Sequence, residues 1–220
     1  VNADARLPQL LAWYNEYLDR PDAARFACHV ATRYTDGTLQ RLTQSPHREA
    51  RRAAVLALGI LSDYASNAAL GRALIDDDRT VRILAENAIR QVWARGGSVE
   101  HCTQLARVTR LIAARQFDKA VNLATDLIQA APHFAEAWNQ RAFAYHALGQ
   151  YEAAVHDCHE ALEINPYHFI AAVGMGRSYL ELHQPGPALE CFRRALRLNP
   201  DLDGVRVQVE KLARRVDGRG

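Results

Sequence analysis

Lysine is almost missing from this chain. Lys119 and Lys211 are its two lysines, so its positive charge rests on arginine. Neither sign dominates, and the formal net charge is +2 over 220 residues. Residues 1–100 carry 13 basic and 12 acidic side chains, and residues 101–220 carry 14 and 13. No basic lobe marks a nucleic-acid partner. No apolar run approaches the roughly 20 residues that a membrane span needs. The four cysteines, Cys28, Cys102, Cys158 and Cys191, lie far apart and form no CxxC pair, which reads as a reduced, buried set. HExxH, Cys₂His₂ spacing, a nucleophile elbow and a phosphate loop are all absent. No catalytic or metal-ligating constellation emerges, and neither a cofactor nor a metal is expected.

What is present is periodicity. With 49% apolar residues the chain can fold. Glycine and proline sit between the periodic segments, not inside them, which argues an all-α fold. Residues 135–168 set the pattern: Trp138, Ala142 and Tyr145 mark one helix, Gly149 ends it, Ala154 and Ala161 mark a second, and Pro166 closes the unit. A step of 34 residues forward carries Ala142 to Gly176, Tyr145 to Tyr179, Ala154 to Ala188, Cys158 to Phe192 and Pro166 to Pro200. The same step backward carries Tyr145 to Leu111, Ala154 to Ala120 and Pro166 to Pro132. The first copy departs most, with Gln104 in the place of Trp138 and Val108 where a small residue is expected. Small side chains at Ala142, Gly176, Ala120, Ala154 and Ala188 let paired helices touch, and each proline turns the chain. Gly149 takes a left-handed cap without steric cost; Arg115 and His183 hold that place in the other copies.

This period and pattern resemble the tetratricopeptide repeat over residues 99–202. The resemblance implies a groove lined by the first helix of each repeat. By position, repeat one offers Leu105, Thr109 and Ile112. Repeat two offers Glu136, Asn139, Gln140, Phe143 and His146, and repeat three offers Ile170, Val173, Arg177 and Leu180. Asn139 and Gln140 could bond a peptide backbone, Phe143 could anchor an aromatic contact, and Arg177 could meet a carboxylate. The carboxylate clamp of chaperone-tail-binding arrays is absent, because its positions carry Leu105, Thr109, Gln140, Ile170 and Gly174.

A second period runs through the N-terminal half. Ala50, Ala54, Leu58 and Leu61 recur 31 residues later as Val81, Ala85, Ile89 and Val92, and Arg51 recurs as Arg82. Helices are expected over residues 38–44, 47–62, 67–75 and 79–94, with turns at Ser45-Pro46 and at Asp76, Asp77 and Asp78. These units resemble HEAT-like repeats. Before them, Leu7, Leu10, Leu11, Tyr14, Tyr17 and Leu18 form an apolar stripe, Pro21 suits the first turn of the next helix, and Asp36-Gly37 reads as a break. That first pair is an atypical end unit that shields the array's core.

The expected architecture is therefore a right-handed α-solenoid of about 13 helices, a count that follows from these repeats. Residues 1–95 form a HEAT-like region with its end pair, residues 99–202 three tetratricopeptide repeats, and residues 203–216 a capping helix. One continuous superhelix with a flexible junction at Gly96, Gly97 and Ser98 is expected, with frayed residues 1–6 and 217–220. The expected function is a non-catalytic scaffold or adaptor that holds a protein or peptide. Two alternatives stay open. One is a HEAT-like nucleic-acid binder using Arg48, Arg51, Arg52, Arg79 and Arg82; the other is a ligand binder resembling chromophore lyases. A cytoplasmic location is expected, though the start at Val1 leaves a removed leader open, and the oligomeric state is open too.

Overall fold

The computed structural model describes residues 7–216. Expectations for residues 1–6 and 217–220 fall outside that span, as do those for the side chains of Leu7, Pro8 and Val216. The described residues form thirteen α-helices and one 3₁₀ turn, with no strand among them, so the chain is all-α. It divides into two compact units, residues 1–93 and 94–220.

The N-terminal unit holds α1 (Leu7–Asp19), α2 (Ala23–Ala31), α3 (Asp36–Leu42), α4 (Arg48–Leu61), α5 (Asn67–Ala73) and most of α6 (Arg79–Ala94). Leu10, Tyr14, Phe26, Val30 and Tyr34 are buried, as their helical spacing requires, whereas Leu18 is 57% exposed. Two helix starts differ from expectation. Asp22 caps α2 by accepting a bond from the Arg25 N–H at 3.0 Å, which leaves Pro21 outside the helix. Thr35 caps α3 through the Thr38 N–H, so Asp36 and Gly37 begin a helix where a break is expected. A side-chain oxygen that satisfies an orphan N–H outweighs the local tendency of Asp-Gly to turn.

The 31-residue period reappears in the hydrogen bonds. Arg51 Nη1 donates to the carbonyls of Ser45 and Pro46, and Arg82 Nη1 donates to those of Asp76 and Asp77. Ser62 Oγ donates to Asp36 Oδ2 at 2.7 Å, and one repeat later Trp93 Nε1 donates to Asn67 Oδ1 at 2.7 Å. Consecutive repeats are pinned by carboxylates: Arg51 forks onto Asp76 at 2.7 and 2.9 Å, and Arg52 onto Asp78 at 2.8 and 2.6 Å.

The C-terminal unit contains α7 (Val99–Ala113), α8 (Phe117–Ala130), α9 (Ala135–Ala147), α10 (Tyr151–Ile164), α11 (Phe169–Glu181), α12 (Pro185–Leu198) and α13 (Asp203–Val216). Each helix packs on the next, and α9 also packs on α7 and α11. The small-residue positions are closed: Ala120, Ala154 and Ala188 are fully buried, and a Cβ on Gly176 would stand 2.7 Å from the Phe192 ring. Val108, the oversized residue of the first copy, is accommodated in the core beside Ala120, Ala124 and Ala144.

All three hairpin turns take one geometry. Arg115, Gly149 and His183 have φ of 56°, 75° and 57°. Behind each, the next N–H reaches back five residues: Gln116 to Leu111, Gln150 to Tyr145 and Gln184 to Tyr179, each at 2.9 Å. This is the six-to-one bond of a left-handed helix stop. The repeat thus imposes the turn even where glycine is missing. Gly97, expected to be a slack junction, is a packing site instead. A Cβ there would lie 2.8 Å from His101 Cβ, and Ser98 and His101 form a reciprocal cap on α7.

Candidate functional site

The candidate face belongs to α7, α9 and α11, the first helices of the three C-terminal pairs. Its floor is a hydrogen-bonded network. Glu136 Oε1 accepts from Asn139 Nδ2 at 3.2 Å and from Gln140 Nε2 at 2.6 Å. Its Oε2 meets His168 Nε2 at 3.0 Å. Because His168 Nδ1 accepts the Ala171 N–H at 3.1 Å, the proton of the neutral imidazole sits on Nε2 and is donated to Glu136. Burial pushes the Glu136 carboxyl up, but the His168, Gln140 and Asn139 donors outweigh it and hold the group below the usual carboxylate range.

A second tie runs between the same helices. Ser178 Oγ donates to the Gly174 carbonyl at 3.1 Å, which leaves it to accept from His146 Nδ1, also at 3.1 Å. His146 also stands edge-on to Tyr151. Asn139, Gln140 and His146 are therefore engaged within the unit, the two amides by Glu136 on their own helix and His146 by Ser178 on α11. Leu105 is 5% exposed and packs with Leu127, Ile128, Phe134 and Ala137, so it serves the core.

Three of the expected residues face outward. Thr109, Phe143 and Arg177 stand at steps of 34 residues, so they hold one place in three successive repeats. All three are exposed, and Phe143 is 53% exposed. Val173 is half-buried and, with Arg177 and Leu180, borders a cavity closed on its far side by residues of α12 and α13.

One internal tie was not visible in the sequence. Arg141 forks onto the buried Asp157 at 2.7 and 2.9 Å and donates to Thr125 Oγ1 at 3.0 Å. Its guanidinium lies 5.0 Å from the Trp138 ring centre and 5.6 Å from that of Tyr145. A single arginine thus joins α8, α9 and α10. Arginine at the seventh place of the repeat, with an acid sixteen residues later, is the signal that could have revealed it.

The remaining sequence candidates do not converge. Cys158 is buried, His156 lies against Trp138 and Asp157, and His159 stands near Glu160 and Glu163. Among the described residues, no group of three or more His, Cys, Asp or Glu could hold a metal ion. Of the five arginines weighed for nucleic acid, Arg51 and Arg52 are spent on Asp76 and Asp78, Arg48 pairs with Glu49, and Arg82 holds a turn. No helix among the described residues is long and apolar enough to cross a membrane.

Comparison with known proteins bears on the C-terminal unit. Family models described as "Tetratricopeptide repeat" match residues 135–168 and 171–202. A tetratricopeptide-repeat-containing protein of Rhizobium etli is 27% identical over 132 residues, spanning 60% of this chain and 65% of that protein. WD and tetratricopeptide repeats protein 1 of Homo sapiens is 35% identical over 83 residues, spanning 36% of this chain and 12% of that protein. Among solved structures, the first tetratricopeptide domain of Spaghetti (RPAP3), bound to the HSP90 peptide SRMEEVD, superposes with a TM-score of 0.53 at 21% identity. It covers 55% of this chain and 96% of that one. The tetratricopeptide domain of OM64 from Arabidopsis gives a TM-score of 0.50 at 26% identity, covering 51% and 93%. Period, turn geometry and comparison agree that residues 135–168 and 171–202 are tetratricopeptide repeats.

Proposed function

We propose that this protein is a non-catalytic interaction scaffold that holds a peptide or helix of a partner protein against the face formed by α7, α9 and α11. The observation that carries this reading is the stripe of Thr109, Phe143 and Arg177, exposed at one place in successive repeats above a floor whose polar groups are already paired. A floor satisfied in this way is rigid before binding and loses little order on contact, which favours affinity. An aromatic anchor with a guanidinium at the same place one repeat on offers the residue types that dominate interface energies. The RPAP3 domain, which shares this fold, is bound to an HSP90 peptide, and that supports peptide binding as the use of the fold.

The occupant differs from an acidic chaperone tail, because the clamp positions hold the buried Leu105, the internally bonded Gln140, and Gly174, whose Cβ would lie 3.2 Å from Cys158 Sγ. For the N-terminal unit we infer HEAT-like repeats, supported by the Arg51/Arg82 and Ser62/Trp93 bonds that recur one period apart. The test is retention of a partner from lysate of the native organism on immobilised protein. Phe143→Ala should weaken capture, and adding Arg177→Glu should abolish it. Normal capture by the double variant would show that the partner binds elsewhere.

A further inference from the structure

The α13 end of the C-terminal unit carries a feature that selects among peptides. Val173, Leu180, Phe192, Leu202 and Val205 wall a cavity of about 360 Å³. That volume falls within the roughly 300–1,000 Å³ of clefts that hold ligands. Its floor is rigid, because Phe192 is 1% exposed and its ring is pressed against Gly176. Arg177 stands on the cavity wall, exposed, and no acidic residue lines the space. Among the described residues Arg177 has no ion-pair or hydrogen-bond partner. By contrast, Arg51, Arg52 and Arg141 each fork onto a carboxylate. Gln208, also exposed, adds one uncommitted amide to the rim.

A recess walled by apolar side chains and edged by polar ones, with one unpaired guanidinium among them, has a definite complement. The recess gains by removing an apolar side chain from water. The guanidinium gains from a carboxylate, which it can meet with two parallel bonds, and it repels a basic segment. Resting on the groove reading, we infer that this cavity takes an apolar side chain of an extended peptide whose neighbouring residue is acidic. The apolar side chain enters between Leu180 and Val205, the carboxylate meets Arg177, and the Gln208 amide is available to the peptide backbone. The subsite is distinct from the clamp positions, which lie on other residues.

The probes are four fluorescein-labelled octapeptides in a serine–alanine background, carrying leucine–aspartate, leucine–asparagine, serine–aspartate or leucine–lysine at their centre. Anisotropy titration of the full chain should rank leucine–aspartate about tenfold tighter than each of the others, as expected when anchor and charge both contribute. Arg177→Glu should reverse the order of leucine–aspartate and leucine–lysine. Gly204→Leu provides a second variant that should fold normally, since a Cβ there meets nothing within 4 Å and Gly204 lines the cavity. Its side chain should fill the recess and weaken both leucine–acid and leucine–amide peptides. Equal binding of all four peptides overturns the inference. So does a peptide ranking unchanged in both variants, or self-association at this face that the leucine–aspartate peptide does not displace. If Phe143→Ala still impairs partner capture in any of those cases, the groove reading survives without this subsite; if it does not, both fall.

Discussion

At the scale of single residues, burial decides what the chemically reactive groups can do. The Cys158 thiol is pushed up to about 12 by burial, with the neighbouring Asp157 and Cys191 adding to it, and burial raises Cys191 to about 11. Thiolate is the nucleophile, so neither should react near neutral pH. Cys28 is exposed, contrary to the buried set expected of the cysteines, and should take up iodoacetamide first in the native protein, with Cys158 labelled after denaturation. Mass spectrometry of timed digests reads this directly, and early labelling of Cys158 would contradict the packing of α10. Asp78 works in the opposite direction. The Arg52 fork, assisted by the Val81 N–H and opposed by burial, holds its carboxyl at about 2 against an ordinary 3.8. A folded-state value below the unfolded one means that this contribution is fully present above the ordinary value. It is lost as pH falls from about 4 towards 2. Asp78→Ala should cost about 1–3 kcal/mol through the lost cap and the stranded guanidinium. It should also flatten the acid limb of the stability curve across that window, as urea titrations at several pH values would show.

At the scale of the helical pair, the repeat dictates backbone as well as side chains. Left-handed φ at Arg115 and His183 costs an L-residue roughly 1 kcal/mol that glycine avoids. Gly149→Ala should therefore destabilise by about 1 kcal/mol, while His183→Gly should be neutral or gain a similar amount. Thermal melts distinguish these outcomes, and a loss on His183→Gly would mean that the imidazole itself holds the turn. Gly176→Ala pushes a methyl into the Phe192 ring and should cost about 1–3 kcal/mol by overpacking. The small residues at fixed places, the proline after each second helix and the glycine of one turn were legible in the sequence because they are local and periodic, whereas Arg115 and His183 gave no sign that their turns are left-handed too. The caps at Asp22 and Thr35 were less legible. Asp-Gly and Pro carry strong turn tendencies, and only the placed side chain shows that the helix starts elsewhere. The Glu136–His168 and His146–Ser178 ties join residues 32 apart, and the Arg141–Thr125 bond joins residues 16 apart. Such partnerships exist only once the helices are packed, so the sequence marked His146 as a groove residue without showing that Ser178 of α11 engages it.

At the scale of the molecule, the account separates residues that build the repeats from those left over to meet a partner. Arg51, Arg52, Arg82 and Arg141 serve the first task, which removes three of the five side chains from a nucleic-acid stripe. Phe143 and Arg177 are exposed, and we propose them for the second task. The most direct measurement places a photo-crosslinking benzoylphenylalanine at Phe143 or, for comparison, at the exposed Glu163 of α10, and irradiates each protein in lysate of its native organism. The account predicts a discrete crosslinked partner from position 143 and none from position 163, with the former lost on adding Arg177→Glu. A crosslink of equal strength from position 163, or one from position 143 indifferent to Arg177, would contradict it.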